Sequence, residues 1–480
     1  MTMNRIAGAG WILVGIFCGT GASAVDQWPQ FRGPNASGVA AGAHPPLNLS
    51  PGNWVAWQVA VPWSPSSPVV WGDRLYLTTY TEHQLETRCL DRRDGKTLWT
   101  GLVPVDQLEV FHNTDGSPAA STPATDGKHI VSYFGSFGLV CHDPQGRELW
   151  RHPLPLAISG GSYGSGTSPV IHEGLVLLNR DQDQNSSLLA VDVKTGKTAW
   201  ETSRPDASGS FGTPIVWPRG KGWEVVMPGS VRLKGYDLKT GRENWLFDGV
   251  TGFSCTTPVV GDGLLFFAGW SPGKADSPWP AWEIFLGRYD KNHDGEITMD
   301  EFSPAERDYV RGLDVNHDGK ITKSDYEQVQ ARAVQSANLM VAVRPDGVGD
   351  ITATHLAWKF EKGLPYVPSP LFYDGVVYLI RDGGMMSAFE AKTGRPLYSQ
   401  ERLEAQGSYY ASPVAADGRI YVASLAGKLT VVKAGGTKPE TLHQADFGER
   451  ILATPAIVGN WLYLRTQTKL YAFGAGSAGR

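Results

Sequence analysis

The fold is decided by a pattern that is clearest in SPVIHEGLVLLNRD (residues 168–181) and SLLAVDVKTGKTAWET (residues 187–202). Each stretch contains short runs of apolar and β-branched residues separated by Gly-containing turns, which is the pattern of β-hairpins. The unit opens on Ser-Pro or Thr-Pro, and its later strands end in an acidic turn. We interpret it as four short antiparallel strands.

The same unit recurs along the 480-residue chain. Its opening prolines are Pro68, Pro123, Pro169, Pro214, Pro258, Pro370, Pro413 and Pro455. They are 42 to 55 residues apart, except for one interval of 112 residues that holds about 68 extra residues. A period in the forties is typical of propeller blades rather than of helical solenoids. The sequence therefore predicts an all-β fold, an eight-bladed β-propeller with a small α-helical EF-hand insertion.

A second signature is the turn D-x-x-T-G-K/R-x-x-W in the latter half of each unit. It is seen in DVKTGKTAW and DLKTGRENW, with looser versions in DRRDGKTLW, DPQGRELW and EAKTGRPLY. These turns resemble the PQQ-like repeat of quinoprotein-type propellers, and the resemblance covers about residues 54–476. That group includes quinone-dependent alcohol dehydrogenases and the non-enzymatic outer-membrane assembly factor BamB. The resemblance implies that the aromatic residue after each turn packs between neighbouring blades, here Trp99, Trp150, Trp200, Trp245, Trp358 and Tyr398.

The ends of the repeat region predict how the ring closes. After Pro455 the last unit has room for three strands only, whereas NWVAWQVAV (residues 53–61) precedes the first unit. Trp57 stands 11 residues before Pro68, close to the spacing of the other repeat tryptophans from their following prolines. We expect residues 54–62 to complete the last blade, which removes unpaired sheet edges. The propeller then comprises residues 54–270 and 339–476.

The long interval contains an insertion, residues 271–338, with two loops of calcium-binding type. The first loop, DKNHDGEITMDE (residues 290–301), matches D-x-[DN]-x-[DN]-G-x₅-E at every fixed position. Its expected ligands are the side chains of Asp290, Asn292, Asp294, Thr298 (often through water) and Glu301, and the backbone carbonyl of Glu296. We predict that it binds Ca²⁺.

The second loop, DVNHDGKITKSD (residues 314–325), departs from the pattern at its last position. Its expected ligands are Asp314, Asn316, Asp318, the carbonyl of Lys320, Thr322 and Asp325. Asp325 is one methylene shorter than Glu, so bidentate coordination is harder and the site is expected to be weaker. Because the insertion joins a second strand to a third, we expect it to overhang the face where the blades are entered.

The N-terminus predicts export. Residues 1–24 have Arg5, an apolar run over residues 6–17 and the small-residue site Ala22-Ser23-Ala24, as in a cleaved signal peptide. The run is shorter than the roughly 20 residues of a spanning helix, and no transmembrane segment is expected after cleavage. Residues 25–53 are expected to form an ordered arm or a flexible leader. A periplasmic or secreted location follows.

Charge and cysteine content indicate which kinds of partner and cross-link to expect. The formal net charge is −5 with no basic run, which argues against nucleic acid as a partner. The three cysteines beyond the signal, Cys89, Cys141 and Cys255, are far apart and imply no disulfide framework.

The loops at the blade-entry face supply candidate binding residues for a protein partner or a small ligand. We expect near the axis His112, Asp115, Tyr163, Phe211, Phe253, Tyr366, Tyr409, Tyr410, Arg180, Asp181, Asp183, Arg381, Asp382 and Arg465. They could equally be solvated loop residues or blade-packing aromatics.

Three functions fit this sequence. The favoured one is a calcium-binding, non-catalytic scaffold or protein-binding module of the cell envelope, similar to BamB. The alternative is a PQQ-dependent alcohol or sugar dehydrogenase that uses the central channel, although the sequence lacks an adjacent Cys-Cys pair and does not support PQQ. The third is a hydrolase or carbohydrate binder, for which no G-x-S-x-G motif or assignable carboxylate pair is present.

Overall fold

The computed structural model describes residues 27–112, 114–159, 163–182, 185–207, 209–271, 280–303, 306–307, 310–316 and 318–474. Eight four-stranded antiparallel sheets form within these residues, and the first strands of neighbouring sheets contact one another around a central channel. The predicted eight-bladed propeller is confirmed. The chain thus closes on itself as a ring, and a hydrophobic core lies between each pair of blades.

Blades 1 to 4 follow one another without interruption. Their strands are Val69–Trp71, Arg74–Thr81, Gln84–Asp91 and Thr97–Pro104 (blade 1), Ala124–Thr125, Ile130–Phe134, Gly138–His142 and Glu148–Pro153 (blade 2), Val170–His172, Leu175–Arg180, Ser187–Asp192 and Thr198–Ser203 (blade 3), and Ile215–Arg219, Gly222–Pro228, Arg232–Asp237 and Glu243–Asp248 (blade 4). In each blade the first strand lies nearest the channel.

The insertion interrupts blade 5, and the N-terminal region supplies the last strand of blade 8. The strands are Val259–Gly261, Leu264–Gly269, Leu339–Val343 and Leu356–Phe360 (blade 5), Leu371–Tyr373, Val376–Arg381, Met385–Glu390 and Pro396–Arg402 (blade 6), Val414–Ala416, Arg419–Ala423, Lys428–Lys433 and Thr441–Asp446 (blade 7), and Ala456–Val458, Trp461–Arg465, Lys469–Phe473 and Val55–Ala60 (blade 8). Val55–Ala60 is antiparallel to Lys469–Phe473.

Tryptophans of the outer strands join neighbouring blades. The indole N–H of each donates to a backbone carbonyl in the turn of the next blade, at 2.8 to 3.0 Å: Trp57 to Arg92, Trp99 to Pro144, Trp150 to Val193, Trp200 to Leu238 and Trp358 to Ala391. Each indole also covers the glycine of that turn. At Gly196, for example, φ is +70° and a Cβ atom would lie 2.6 Å from the Trp150 ring. Both the backbone conformation and the close approach of the indole therefore require glycine.

Two of the repeat aromatics depart from this arrangement. The indole of Trp245 donates to the Glu224 carboxylate of its own blade at 2.9 Å. The reason lies in blade 5, where the turn is replaced by a longer connection whose strand Gly349–Asp350 runs parallel to the outer strand of blade 4. Tyr398 is buried, and its hydroxyl has no hydrogen-bond partner among the described residues.

The insertion folds as a small unit of its own. Its described elements include the helices Trp282–Tyr289 (α1) and Lys323–Gln335 (α2) and the 3₁₀ turns Met299–Glu301 and Arg311–Leu313. Ile297–Thr298 pairs antiparallel with Lys320–Ile321. Trp282, Phe285 and Tyr326 pack in a core separate from those of the blades. Among the described residues, no helix has both the length and the apolar character needed to cross a bilayer.

The N-terminal arm crosses the end of the channel opposite the blade-entry loops. Its first strand, Gln27–Trp28, pairs with the first strand of blade 1, and Asn35 exchanges hydrogen bonds with the backbone of Val216 in blade 4. Val39 bridges to Ala415 in blade 7. The arm therefore ties together blades that are distant in sequence. Between the strand and this bridge the arm forms the 3₁₀ turn Pro34–Ala36.

Candidate functional site

A closed ring of hydrogen bonds surrounds the channel at the start of the inner strands. It is formed by the Ser or Thr that precedes each repeat proline: Ser67, Thr122, Ser168, Thr213, Thr257, Ser369, Ser412 and Thr454. We call these residues the hydroxyl belt. The backbone N–H of each donates to the hydroxyl of the next, at 2.9 to 3.3 Å, and the N–H of Thr454 returns to Ser67.

The belt explains why Ser-Pro or Thr-Pro recurs in the sequence. A hydroxyl is needed at this position because each neighbouring blade presents a buried N–H that must be satisfied. The Ser or Thr before each proline was visible in every unit as a marker of the repeat, but the repeat pattern alone did not show that its hydroxyl joins neighbouring blades.

The belt encloses a cavity of about 220 Å³. All eight belt residues line it, Phe31 of the arm lines it from the opposite end of the channel, and aromatic residues of the blade-entry loops line its mouth. The channel is therefore a blind pocket that opens toward the blade-entry face.

Five aromatic side chains surround the mouth, and we call them the aromatic collar: Tyr163, Phe211, Phe253, Tyr366 and Tyr410. Phe211 and Phe253 meet edge to face with ring centroids 5.2 Å apart, and Phe253 stacks with Tyr366 at 6.4 Å. Trp270 meets Tyr366 edge to face at 5.8 Å. All five were among the residues expected near the axis.

One ion pair lies at the mouth. Asp115, as expected, lines the cavity; it pairs with Arg450 and accepts a hydrogen bond from the Tyr410 hydroxyl at 3.2 Å. Arg450 also donates to the backbone carbonyl of Thr114 at 2.8 Å. The sequence analysis missed Arg450, because only the ring brings blade 7 and the loop before blade 2 together.

Other predicted residues lie elsewhere. Arg381 and Asp382 line a neighbouring cavity with Trp270, and His112 packs against Tyr163 with ring centroids 5.6 Å apart. Asp183 is outside the described residues.

Four predicted residues are buried structural groups rather than pocket residues. Asp181 forms a bidentate pair with Arg204 at 2.7 and 3.0 Å, and Arg465 donates to the carbonyls of Ser66 and Pro62 in the segment that leads into blade 1. Arg180 is also buried and donates to the carbonyl of Pro155, while the Tyr409 hydroxyl donates to that of Ala405. Ring closure places these groups inside the protein, which sequence position alone did not reveal.

Glu109 is a buried carboxyl group directly behind the pocket wall. It accepts hydrogen bonds from the backbone N–H and the hydroxyl of Ser165, at 2.8 and 2.7 Å, and Ser165 lines the cavity. Burial raises the pKa of Glu109 to about 7, against the opposing effect of these bonds and of Arg180. Burial likewise raises the pKa of the cavity-lining Cys255 thiol to about 12, so this thiol is not activated as a nucleophile.

The first calcium-type loop has its end carboxylates turned inward. The Asp290 carboxylate accepts the N–H groups of Asp294 and Gly295 at 3.2 and 3.0 Å, and Glu301 accepts the N–H of Lys291 at 2.7 Å. Glu301 also accepts the N–H of Thr298, closing a capping box. Asp290 and Glu301 are each only 7% exposed. Through its bond to Lys291, the carboxylate at the last loop position lies beside the start of the loop.

The second loop repeats these contacts. Asp314 accepts the N–H groups of Asp318 and Gly319 at 3.2 and 3.0 Å, and Asp325 forms a capping box with Thr322 at the start of α2. The two seventh positions, Glu296 and Lys320, form an ion pair between the loops.

The oxygen-rich loops fit a hard divalent cation in ligand type, number and order. No group of three His, Cys, Asp or Glu side chains converges as a ready-made metal cluster in the part of the chain that the structure describes. The loop carboxylates instead hold backbone N–H groups. Asn316 and Asp325 line a crevice against Asn185 and Pro205, so the second loop lies beside blade 3.

A family profile described as outer membrane protein assembly factor BamB matches residues 51–162, 85–247 and 306–480. The chain belongs to this family. An EF-hand profile matches residues 284–303, which include the first loop. This family membership agrees with the resemblance of the repeats to those of quinoprotein-type propellers. The observed eight-bladed propeller is the fold that this resemblance implied.

Solved structures share this fold at low sequence identity. BamB from Moraxella catarrhalis has a TM-score of 0.53 at 12% identity and covers 88% of this chain and 98% of its own. A europium-containing methanol dehydrogenase has a TM-score of 0.59 at 11% identity and covers 94% and 98%. These likenesses show the fold alone.

A curated relative is the serine/threonine-protein kinase AfsK of Streptomyces griseus, 25% identical over 226 residues. The match covers 42% of this chain and 26% of the kinase, so the chain spans about a quarter of that relative.

The pocket does not fit PQQ, the cofactor that the dehydrogenase alternative requires. Three carboxylates of a bound quinone need cationic or metal partners when they leave water. Among the described residues that line the cavity there is no Lys or Arg and the one carboxylate is that of Asp115, with which the nearby Arg450 is already paired. The residues at the mouth therefore offer no set of charges that complements this cofactor.

Proposed function

We propose that this protein is an exported, calcium-binding propeller that serves the cell envelope as a non-catalytic scaffold and binds a protein partner on its blade-entry face. The observation that carries the proposal is an exposed apolar rim around the mouth of the channel. Family membership supports it, because the matching profile describes an outer-membrane assembly factor.

The rim consists of large apolar side chains that a monomeric surface would ordinarily bury. Val110, Ile158, Tyr163 and Trp270 are 54, 42, 46 and 38% exposed, and all four lie on loops of the blade-entry face. Contiguous exposed apolar surface with aromatic residues is typical of protein-binding sites. Four exposed apolar side chains on loops of one face favour a macromolecular partner on that face.

Calcium would hold the insertion in a defined position beside this face. Asp290, Glu301 and Asp325 are at most 7% exposed, and none of them forms an ion pair with another described residue. Buried carboxylates without a compensating cation cost stability, so a bound Ca²⁺ would stabilise both loops. At the roughly 10⁻⁴ to 10⁻³ M affinity of extracellular calcium modules, this is a structural role rather than signalling.

The remaining part of the proposal is that the protein is exported from the cytoplasm. The predicted signal peptide lies outside the described residues, and its cleavage near Val25 is measurable as the N-terminal mass of the mature protein. Fractionation should place that mature form in the periplasm or the medium.

The partner-binding proposal is tested by site-directed photo-crosslinking in cells, with the probe at Tyr163. We expect a discrete crosslinked protein whose yield falls at least about tenfold in the double variant Ile158→Ser and Trp270→Ser. The matched control is Leu98→Ser and Leu102→Ser, two exposed outer-strand residues of blade 1 that are 47 and 44% exposed. Equal loss in both double variants, or no crosslink, contradicts the proposal.

The dehydrogenase alternative has its own test. Purified protein is incubated with PQQ and Ca²⁺ and assayed for dye reduction with simple alcohols and sugars. We expect no turnover; activity that Asp115→Asn abolishes would replace the scaffold proposal with the enzyme.

A further inference from the structure

The blind pocket carries an inference beyond a protein-binding rim. It has a floor made by the arm, a waist made by the hydroxyl belt and a mouth made by the aromatic collar. A cavity of about 220 Å³ is smaller than the roughly 300–1,000 Å³ of pockets for drug-sized ligands, so it suits a molecule with a single ring.

The waist is rich in hydrogen-bond donors. Each belt hydroxyl already accepts an N–H group from the neighbouring blade, and none donates to a protein acceptor among the described residues. Eight hydroxyl hydrogens are therefore available to the pocket. A ligand that satisfies them must present acceptor atoms at the waist.

The arm adds an uncompensated positive charge beside the pocket, whose lining includes Phe31 and Ser369 but not Arg32 itself. Arg32, next to Phe31, is 0% exposed, and one of its nitrogens donates to the carbonyl of Pro370 at 2.7 Å, directly after the belt residue Ser369. Its Nε and Nη1 have no partner, and no described carboxylate pairs with it. Burial lowers the pKa of Arg32 to about 9, so the group is still charged at neutral pH.

A buried cation without an anion is costly, and unsatisfied donors beside it add to that cost. Trp28 and Gln30 of the same arm also have buried nitrogens without partners. The unpartnered donors of the arm, together with the belt hydroxyls that line the cavity, favour an anionic group at the waist. The half-buried rings of Phe211, Phe253 and Tyr366 above it offer faces and edges for a flat ring.

We propose that the blind pocket binds a small carboxylate that carries one planar ring, with the carboxylate at the hydroxyl belt and the ring in the aromatic collar. A single carboxylate at the belt would accept hydrogen bonds from the belt hydroxyls and be attracted by the positive charge of Arg32. Any further carboxylate on the ring would lie among the aromatic side chains of the collar, where its charge would not be compensated. The collar shares Tyr163 with the rim proposed to bind a protein partner, so the ligand is tested on the purified chain without that partner.

The test uses benzoate as the probe, titrated into the purified full chain and followed by calorimetry. We expect saturable binding with a Kd below about 1 mM. Benzyl alcohol, which has the ring without the charge, and acetate, which has the charge without the ring, should each bind at least about tenfold more weakly. Absence of benzoate binding overturns the proposal, and so does equal binding of either comparison compound.

Two variants locate the site. Phe253→Leu in the collar should weaken benzoate binding about threefold to tenfold, whereas Phe360→Leu on the outer strand of blade 5 should leave it unchanged. Arg32→Gln should weaken it at least about tenfold. Its control is Arg419→Gln, which also holds the arm through a carbonyl, that of Pro45, but whose charge is paired with Asp417.

If Arg32→Gln fails to fold, the collar pair of variants decides the question alone. Binding that Phe253→Leu does not weaken places benzoate elsewhere and overturns the proposal.

Discussion

The backbone N–H of Thr454 donates to the hydroxyl of Ser67 at 3.0 Å, although the two residues are 387 positions apart in the chain. This bond joins blade 8 to blade 1 and completes the hydroxyl belt. It shows that the ring is closed on its inner side by side chains as well as on its outer side by the strand Val55–Ala60.

Removing one belt hydroxyl should destabilise the ring. Thr122→Val keeps the shape but leaves the buried N–H of Ser67 without its acceptor, which is 2.9 Å away. We expect a loss of about 1–3 kcal/mol in the free energy of unfolding, measured with urea. Thr122→Ser, which keeps the hydroxyl, should lose clearly less, and equal losses would show that the hydroxyl is not responsible.

The closing strand can be tested through its tryptophans. Trp57 is 8% exposed and bonded to Arg92 of blade 1, whereas Trp54 three residues earlier is 48% exposed. Trp57→Ala should cost about 3–5 kcal/mol in unfolding free energy, while Trp54→Ala should cost little. Deletion of residues 54–62 should prevent cooperative folding altogether. A deletion variant with an unchanged melting temperature would contradict this role of the strand.

Two turn glycines allow the cost of backbone strain to be measured separately from the cost of a clash with a neighbouring side chain. Gly196 and Gly174 have φ of +70° and +80°, but only at Gly196 would a Cβ atom meet another group, the Trp150 ring at 2.6 Å. Gly174→Ala should therefore cost about 1 kcal/mol from strain, and Gly196→Ala several kcal/mol more, as chemical denaturation can measure. Similar losses at both positions would mean that the indole moves aside.

The calcium loops should differ in affinity. By calorimetry, Glu301→Gln should abolish or weaken uptake at the first loop about tenfold or more, while Asp300→Asn, a non-ligand neighbour, should not. Asp325→Glu should tighten the second loop, because it restores a side chain long enough for bidentate coordination. Unchanged uptake in Glu301→Gln would remove this loop from the proposed sites.

Glu109 should make stability depend on pH. Its pKa of about 7 lies above the ordinary 4.5, so between these values the native state binds more protons than the unfolded state. The stabilisation is present at low pH and is lost as pH rises toward and through 7, by up to about 1.4 kcal/mol per pH unit.

Urea unfolding at pH 5 and pH 8 should show this fall in the wild type and a smaller fall in Glu109→Gln. Glu201→Gln, at an exposed position of blade 3, should behave as the wild type does. Identical pH profiles for all three proteins would mean that another group titrates.

Local sequence determined the repeat and therefore the fold. Alternating strands, glycine turns and a period near 44 residues are short-range properties, and they fixed eight blades and the place of the insertion. The calcium-type loops were also legible, because all their expected ligands lie within twelve consecutive residues. The aromatic collar was predicted because its five members all lie three to six residues before a repeat proline, on loops that enter the blades.

Only the tertiary structure decided which groups share the channel. The arm residues Phe31 and Arg32 carry no repeat signal, yet Phe31 lines the cavity and Arg32 bonds to the carbonyl of Pro370, because the arm crosses several blades. Arg450 meets Asp115 across the ring, and Arg465 and Asp181 are buried rather than at the mouth, for the same reason. The repeat spacing indicated which strand closes the ring, but side-chain contacts between residues hundreds of positions apart depend on the three-dimensional arrangement of the blades, which short-range patterns do not specify.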